Sequence, residues 1–485
     1  MADIGELKRR RPWRSFGRPW RDSIRSKGRQ RRRASRFGYP APPAVTPPPQ
    51  NRLQLEIEFS PHSAVHRGRE FSRRPRGQRM PKDIVICCDG TGNEIGDNIS
   101  NVLKLFRVAD KNDRQRIYYH PGLGTIGLQN AWGRFKQQMR GLFGLAFGAG
   151  LDQDTLGAYL FLCRTWEPGD RVWMFGFSRG AYTVRVLAAF VHVMGLLPVD
   201  QFDLASYAFG TYKKASSDAQ KSDGTFDYAP LKEAWHFSQI AGGRNIDIEF
   251  VGVWDTVASI IVPRQDNFLF DLQTLLFTRT NSSVKRFRQA ISIDERRRMF
   301  RLNRWIEPQK FRSDPFDPAT EVEQDISQVW FAGVHSDVGG GYPEDQSGPS
   351  KFPLIWMLEQ AKAAGLHMDQ ALIEHLAWGM PLPPHKHDYV PPSATAPLHN
   401  SLTAAWEILE WIPKSDKWKE WPERKSFLGF YLPRGEPRPI ADGATIHASV
   451  LERMEKDPAY KPINMPKTYN VEPITPPPAP PAATV

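Results

Sequence analysis

The chain has 485 residues, 40% of them hydrophobic and 24% charged, with three cysteines and a formal net charge of +12. That balance excludes a wholly disordered chain and a small disulfide-stapled scaffold, and no run reaches the roughly 18 consecutive apolar residues of a membrane span. The charge is uneven: residues 1–80 carry 21 Lys and Arg against 6 Asp and Glu, whereas residues 81–485 carry 44 against 47.

Residues 1–80 read as a disordered leader, an Arg-rich run punctuated by Trp13, Phe16, Trp20 and Phe37 and followed by PAPPAVTPPPQ. Such a segment suits peripheral contact with an anionic membrane or with nucleic acid; the plainer reading is a solvated tail or an over-extended coding start. No apolar stretch of signal-peptide type follows the basic start. Cys87 and Cys88 are neighbours in one apolar run, so their side chains point to opposite faces, and Cys163 stands alone. No disulfide framework is expected, and the expected compartment is the cytoplasm.

The body begins at Lys82. DIVICC (83–88) reads as a buried strand ending in the turn Asp89-Gly90-Thr91-Gly92, and 98–109 as a helix. Residues 116–119 read as a second strand. A Gly-rich apolar stretch (141–150) leads into a helix at 155–166, and a third strand follows at 172–175. Strand, helix, strand, helix, strand is the pattern of a doubly wound, mostly parallel sheet with helices on both faces. After a polar, mixed segment (201–243), IDIEFVGVW (246–254) is the next strand, and 260–277 is an unusually apolar connector. Residues 285–301 read as a basic helix, 326–334 as a strand ending in His335-Ser336-Asp337, and 351–376 as helical. The remainder is rich in Pro and Trp and closes on PPPAPPAATV. The expected organisation is a leader (1–80), a doubly wound α/β domain (81–360), a helical C-terminal extension packed on it (361–465) and a Pro-rich tail (466–485).

The chain is organised around Gly176-Phe177-Ser178-Arg179-Gly180, a G-x-S-x-G set between a strand and a helix. A serine in so tight a turn is presented at the top of the sheet, and the small residues two positions away keep the turn clear of its neighbours. Asp255 and His335 fall at later strand ends, giving the chain order Ser, Asp, His. A serine hydroxyl is a poor nucleophile unless an imidazole takes its proton, and the imidazole needs a carboxylate to fix its tautomer. Asp337, two residues from His335, is an alternative partner. Oxyanion donors are expected from the Arg179 N–H and from Gly90 and Thr91. Asp89 is either a site carboxylate that orients this loop or a turn residue. Phe177, with Phe268 and Leu269 of the apolar connector, is a candidate for substrate contact; the connector is either a lid over an acyl chain or core packing. Asp89-Gly90-Thr91 lacks the earlier aspartate of an aspartyl-nucleophile phosphatase, since Cys87 stands there. No H-E-x-x-H or Cys/His cluster supports a metal, so neither metal nor cofactor is expected.

Six ordered blocks, CDGTGNE (88–94), GAGLDQDTLGAYLFL (148–162), GDRVWMFGFSRGAYTVR (169–185), VGVWDTV (251–257), ISIDERRRMF (291–300) and VWFAGVHSDVGGGY (329–342), make the chain resemble the DUF2235 α/β-hydrolases. These include catalytic domains of type VI secretion lipase effectors, so the resemblance leaves export by that system open. The resemblance implies Ser178 as nucleophile, His335 as base, Asp255 as its partner, and an acyl ester or phospholipid as substrate. The competing expectation is a non-catalytic interaction protein that keeps the fold and binds through its leader.

Overall fold

The computed structural model describes residues 80–90, 98–122, 149–219, 229–257, 275–313, 318–385, 387–403 and 419–478, with shorter pieces at 227, 261–263, 270–272, 406–407 and 410–416. Residues 1–79 of the leader, Thr91, and the connector residues Phe268 and Leu269 lie outside these described residues. What is described falls within one unit, 75–485.

Its frame is an eight-stranded sheet in which every pairing is parallel. In chain order the strands are β1 (Asp83–Cys88), β2 (Gln115–His120), β3 (Arg171–Phe177), β4 (Ile248–Trp254), β5 (Val284–Ser292), β6 (Asp325–Phe331), β7 (Ala444–His447) and β8 (Tyr469–Glu472). Their spatial order is β8-β7-β6-β5-β4-β3-β1-β2. From β1 the chain steps outward to β2, then returns to the other side of β1 at β3. Connections therefore leave in opposite directions from β1 and β3, opening a crevice at their carboxyl ends.

The helices are α1 (Asn101–Val108), α2 (Ala149–Thr165), α3 (Ser178–Met194), α4 (Ala205–Ala219), α5 (Leu231–Ile240), α6 (His335–Gly339), α7 (Gly348–Ala363), α8 (Gln370–Trp378) and α9 (Ala448–Lys456). The period-2 alternation of the strands feeds two cores. Ile84, Ile86 and Cys88 pack with residues of α2, α3 and α4, whereas Val85 and Cys87 pack with α1, α7 and α8. The adjacent cysteines thus enter different cores, and all three cysteines are buried and free. Among the described residues no helix is long and apolar enough to cross a membrane. The α3 helix follows the elbow and buries Arg185, whose guanidinium donates to the carbonyls of Thr278 (2.7 Å) and Asn303 (2.6 Å).

Four expectations change. Residues 285–292 of the segment read as a basic helix (285–301) belong to β5, paired on both sides in the middle of the sheet. Its cations do not need a solvated helix face, because the flanking strands supply acids. Lys285 and Arg286 meet Glu249 of β4, and Arg288 meets Asp325 of β6 at 2.8 Å. The polar stretch 201–243 contains α4 and α5, and the helix read across 351–376 is two helices broken at Gly365, where φ is +99°. In the C-terminal part, β7 and β8 extend the main sheet, so residues 469–472 of the segment read as a tail are its edge strand.

His447 ends β7 and caps α9. It is 2% exposed, and its ring stacks on Phe331 at 4.6 Å. Its Nδ1 accepts from the Ser449 N–H at 3.3 Å, which requires the neutral ring. Burial pushes its pKa down to about 4. Because the folded value lies below the unfolded one, this contribution to stability is whole above roughly pH 6.5 and is lost as pH falls toward 4, by about 3 kcal/mol at most. Thermal denaturation between pH 7 and pH 4.5 should show that loss, and His447→Asn should flatten the dependence.

Candidate active site

The strands end at one rim, and the candidate residues follow from it. Ser178 comes directly after β3, Asp255 directly after β4, and His335 four residues after the end of β6. Ser178 has φ +57° and Asp255 φ +37°, both in the left-handed region that non-glycine residues avoid. At Ser178 the tight turn forces this. A Cβ on Gly176 would lie 2.5 Å from the Gly180 carbonyl oxygen, and one on Gly180 would lie 2.1 Å from the Cys88 carbonyl oxygen. Both glycines of the motif are therefore steric necessities, packed against backbone that cannot move aside.

The turn carries the Ser178 Oγ to 2.7 Å from His335 Nε2, and His335 Nδ1 lies 2.5 Å from Asp255 Oδ2. With the Nδ1 proton on the carboxylate side, Nε2 is left as an acceptor for the serine hydroxyl. Asp337 is engaged elsewhere: its Oδ1 faces His399 Nδ1 at 2.6 Å, and its Oδ2 accepts from the N–H of Val334 at 3.0 Å. The carboxylate touching the His335 imidazole is that of Asp255.

Asp255 is fully buried and held from every side. Its Oδ1 accepts from the Ser292 N–H (2.9 Å) and hydroxyl (3.0 Å). Arg438 adds two further donors, Nη1 to Oδ1 at 2.6 Å and Nη2 to Oδ2 at 3.1 Å. Arg438 is itself 1% exposed and also donates to the carbonyl of Phe300 at 2.6 Å. Burial alone would raise the pKa of Asp255, but the Arg438 charge and the His335 hydrogen bond hold it well below the carboxylate range. Burial likewise lowers the His335 pKa, with Asp255 acting in the opposite direction. A second buried acid, Glu295, accepts from the His335 N–H at 3.2 Å and pairs with Arg297 at 2.8 Å. Two rings enclose the imidazole, Phe177 at 4.7 Å and Phe300 at 4.9 Å between centroids.

Phe177 is therefore a buried wall of His335, seated where Gly339 leaves room: a Cβ there would meet the ring at 1.8 Å. Asp89 is 2% exposed; it accepts from the Gly90 N–H (2.7 Å) and the Tyr119 hydroxyl (2.9 Å), and from Ser100, which caps α1. It ties the loop after β1 to α1. The Gly90 N–H is thereby turned toward Asp89, while the Arg179 N–H lies in the open first turn of α3. Of the connector's described side chains, Leu275 and Leu276 are buried and Phe277 is half-buried.

Sequence reasoning passed over Arg438, Ser292, Glu295 and Phe300. The last three stand within the block 291–300, where their types were visible but their direction was not. Arg438 lies in PRGEPRPI, 183 residues from Asp255 in the chain, and nothing in its spacing signals the contact.

The fold and this rim define an α/β-hydrolase. The family model described as "T6SS, Phospholipase effector Tle1-like, catalytic domain" matches residues 82–360, and the chain belongs to that family, one of phospholipase-like hydrolases. Among curated proteins it is similar to an uncharacterized protein of Saccharomyces cerevisiae, 31% identical over 227 residues. That match covers 45% of this chain and 32% of the yeast protein, so the chain spans about a third of the length of that relative. Among solved structures it is similar to an uncharacterized protein from Pseudomonas aeruginosa (19% identity, 59% of this chain, 46% of that one, TM-score 0.30). A second is the Tle1 effector bound to the VgrG spike of the type VI secretion system (21% identity, 54% and 51%, TM-score 0.26).

Gly180→Ala should be unable to relax, because the new methyl meets the Cys88 and Asp89 backbone; overpacking of this kind destabilises by about 1–3 kcal/mol or more. Urea denaturation reads the loss, and Gly210→Ala, inside α4 with nothing within 4 Å, is the control expected to raise stability by up to about 1 kcal/mol.

Proposed function

We propose that this protein is a serine hydrolase that cleaves carboxylic esters of phospholipid type through Ser178, His335 and Asp255. The observation that carries the reading is the continuous hydrogen-bonded line from the Ser178 hydroxyl through the imidazole to a buried carboxylate, 2.7 and 2.5 Å. Family membership supports the lipid class of the ester.

Ser178 Oγ attacks the ester carbonyl carbon as His335 Nε2 takes its proton. The negative charge formed on the carbonyl oxygen meets the Arg179 N–H at the start of α3; the Gly90 N–H is engaged by Asp89 and does not serve as the second donor. The intermediate collapses to an acyl-serine, and the departing alkoxide receives the proton from His335. Water then repeats the sequence on the acyl group and releases the acid. Asp255 stabilises the imidazolium that forms in each half. Arg438 and Ser292 keep that carboxylate ionised and pointed at Nδ1, so a charge buried without water is compensated by donors.

Ser178→Ala should remove labelling by a fluorophosphonate probe and lower turnover by about 10⁴ to 10⁶ with the fold retained. Wild-type hydrolysis by that variant would end the serine mechanism. Asp255→Asn should cost on the order of 10⁴ in turnover, and Asp337→Asn far less, because only Asp255 touches the imidazole. A panel of diacyl phospholipids set against a short-chain soluble ester tests the substrate class.

The pH profile tests the electrostatics. Burial and Arg297 oppose imidazolium, while Asp255 and Glu295 favour it; Arg438 is a further cation nearby, bound to the same carboxylate as His335. The base is active when neutral, and its pKa is lowered, so kcat/KM should hold below the ordinary imidazole value of about 6.5 and fall only at more acid pH. Arg438→Met removes one opposing charge, so its acid limb should move up in pH. The same change breaks a buried ion pair, with an expected loss of about 3–5 kcal/mol in stability. Arg438→Lys, which keeps the charge, should leave the limb near its wild-type position.

A further inference from the structure

The C-terminal part carries a small three-stranded sheet formed by Lys414–Ser415, Phe430–Tyr431 and Ser426–Phe427. Its hairpin turns through Leu428 and Gly429, with φ +50° and +78°. Two positive φ values in a two-residue turn are the pattern that selects Asn-Gly, since a leucine there is sterically disfavoured. The leucine is also 81% exposed, and Phe427 beside it is 78% exposed. Phe430, Trp411 and Ile412 add to the apolar surface at 38%, 58% and 49% exposure. Neither packing nor turn chemistry accounts for apolar side chains at this tip, and clustered exposure of this kind marks a contact surface.

The base of the hairpin is firm. Tyr431 is buried and donates to Glu436 at 2.8 Å, and Glu436 pairs with Arg301. Behind the tip stand cations: Lys419, Lys425 and Arg434 are exposed, Arg424 is half-buried, and Glu423 is the exposed acid among them. Arg434 covers the Trp411 ring at 4.7 Å, and Arg424, Lys425 and Arg434 help line a cleft of about 550 Å³ beside Phe427 and Phe430. The same segment abuts the active site. Glu410 accepts from the Arg298 N–H at 2.6 Å, and Trp406 packs edge-on against Phe300, the ring that faces His335.

We infer that the hairpin Phe427–Phe430, with Trp411, is a docking surface for an anionic lipid bilayer, the aromatic and leucine tip entering the interface and the cations behind it meeting headgroup phosphates. An apolar tip in front of a cationic collar matches the layering of such an interface, which is apolar within and negatively charged at its face. Its biological sense rests on the proposed ester-lipid chemistry, since it would bring the enzyme to its substrate.

The test uses full-length protein and vesicles of equimolar phosphatidylglycerol and phosphatidylcholine. Partition is read by co-sedimentation at low salt and at about 0.5 M salt, where charge attraction through the basic leader is screened. The double variant Phe427→Ser, Leu428→Asn places in the turn a residue that suits positive φ, so its melting temperature should be unchanged or higher. Its partition at the higher salt should fall about tenfold or more, as expected for losing two inserted apolar side chains. Hydrolysis of vesicle lipid should fall with it, and turnover of a soluble short-chain ester should not change. Reversing two collar charges, Arg424→Glu with Lys425→Glu, should weaken binding to the mixed vesicles and spare binding to pure phosphatidylcholine. Partition unaltered by the double variant overturns the inference. So does an altered oligomeric state in sedimentation velocity with partition intact, which would assign the face to a second copy of the chain. Absent turnover of the soluble ester by the wild-type protein counts against the hydrolase reading alone, because partition is measured without catalysis.

Discussion

A carboxylate sealed from water must be answered by protein donors, and Asp255 is where that demand is most acute. It sits at a strand end with no exposure, accepts from Ser292 twice and from Arg438 twice, and still presents Oδ2 to His335. An isolated buried carboxylate would take up a proton instead, and a protonated Asp255 could not stabilise an imidazolium. The bidentate guanidinium settles the charge state, and Ser292, at the end of β5, settles the orientation. The cost is a competing cation close to the imidazole. The pKa of His335 is lowered chiefly by burial, with Asp255 working against it.

The sheet topology explains why these groups can meet at all. Parallel strands bring all their carboxyl ends to one rim, so residues 178, 255, 292 and 335, far apart in the chain, arrive within one layer of side chains. The reversal between β1 and β3 leaves a crevice there, and the elbow serine stands beside it. Gly176 and Gly180 let strand, turn and helix approach closely enough for the serine to take its left-handed conformation, and Gly339 lets Phe177 close the wall behind His335.

Much of this was legible in the sequence, for identifiable reasons. Buried parallel strands are continuous apolar runs, so β1, β3, β4 and β6 stand out, and the elbow follows from glycine spacing. The same rule failed at β5, where VKRFRQAIS alternates charge with apolar residues in a way that also fits a helix. Only the acids of β4 and β6 beside it make a charged central strand acceptable. The helices α4 and α5 were hidden in a segment of mixed polarity. Asp255 and Asp337 were equivalent on the page because both lie near His335 in sequence or at strand ends; three-dimensional direction separates them, sending Asp337 to His399. Arg438 was beyond reach, since a long-range contact of a single arginine leaves no local pattern.

Arg438 also changes what counts as the functional unit. The family match ends at residue 360, yet the donor that neutralises Asp255 comes from beyond it, on a segment leading into β7. That segment is fixed by more than one contact: β7 and β8 pair with the main sheet, Asn464 bonds the carbonyls of Ile293 and Arg438 at 3.0 Å each, and Glu436 pairs with Arg301. A catalytic part cut at residue 360 would leave Asp255 buried without its counter-charge and β6 without its neighbour. The extension is thus a component of the site, and the hairpin that it carries shares the rigid base that holds Arg438 in place. Electrostatic completion of the rim and the exposed apolar tip are built on one stretch of chain, so they are inherited, or lost, together.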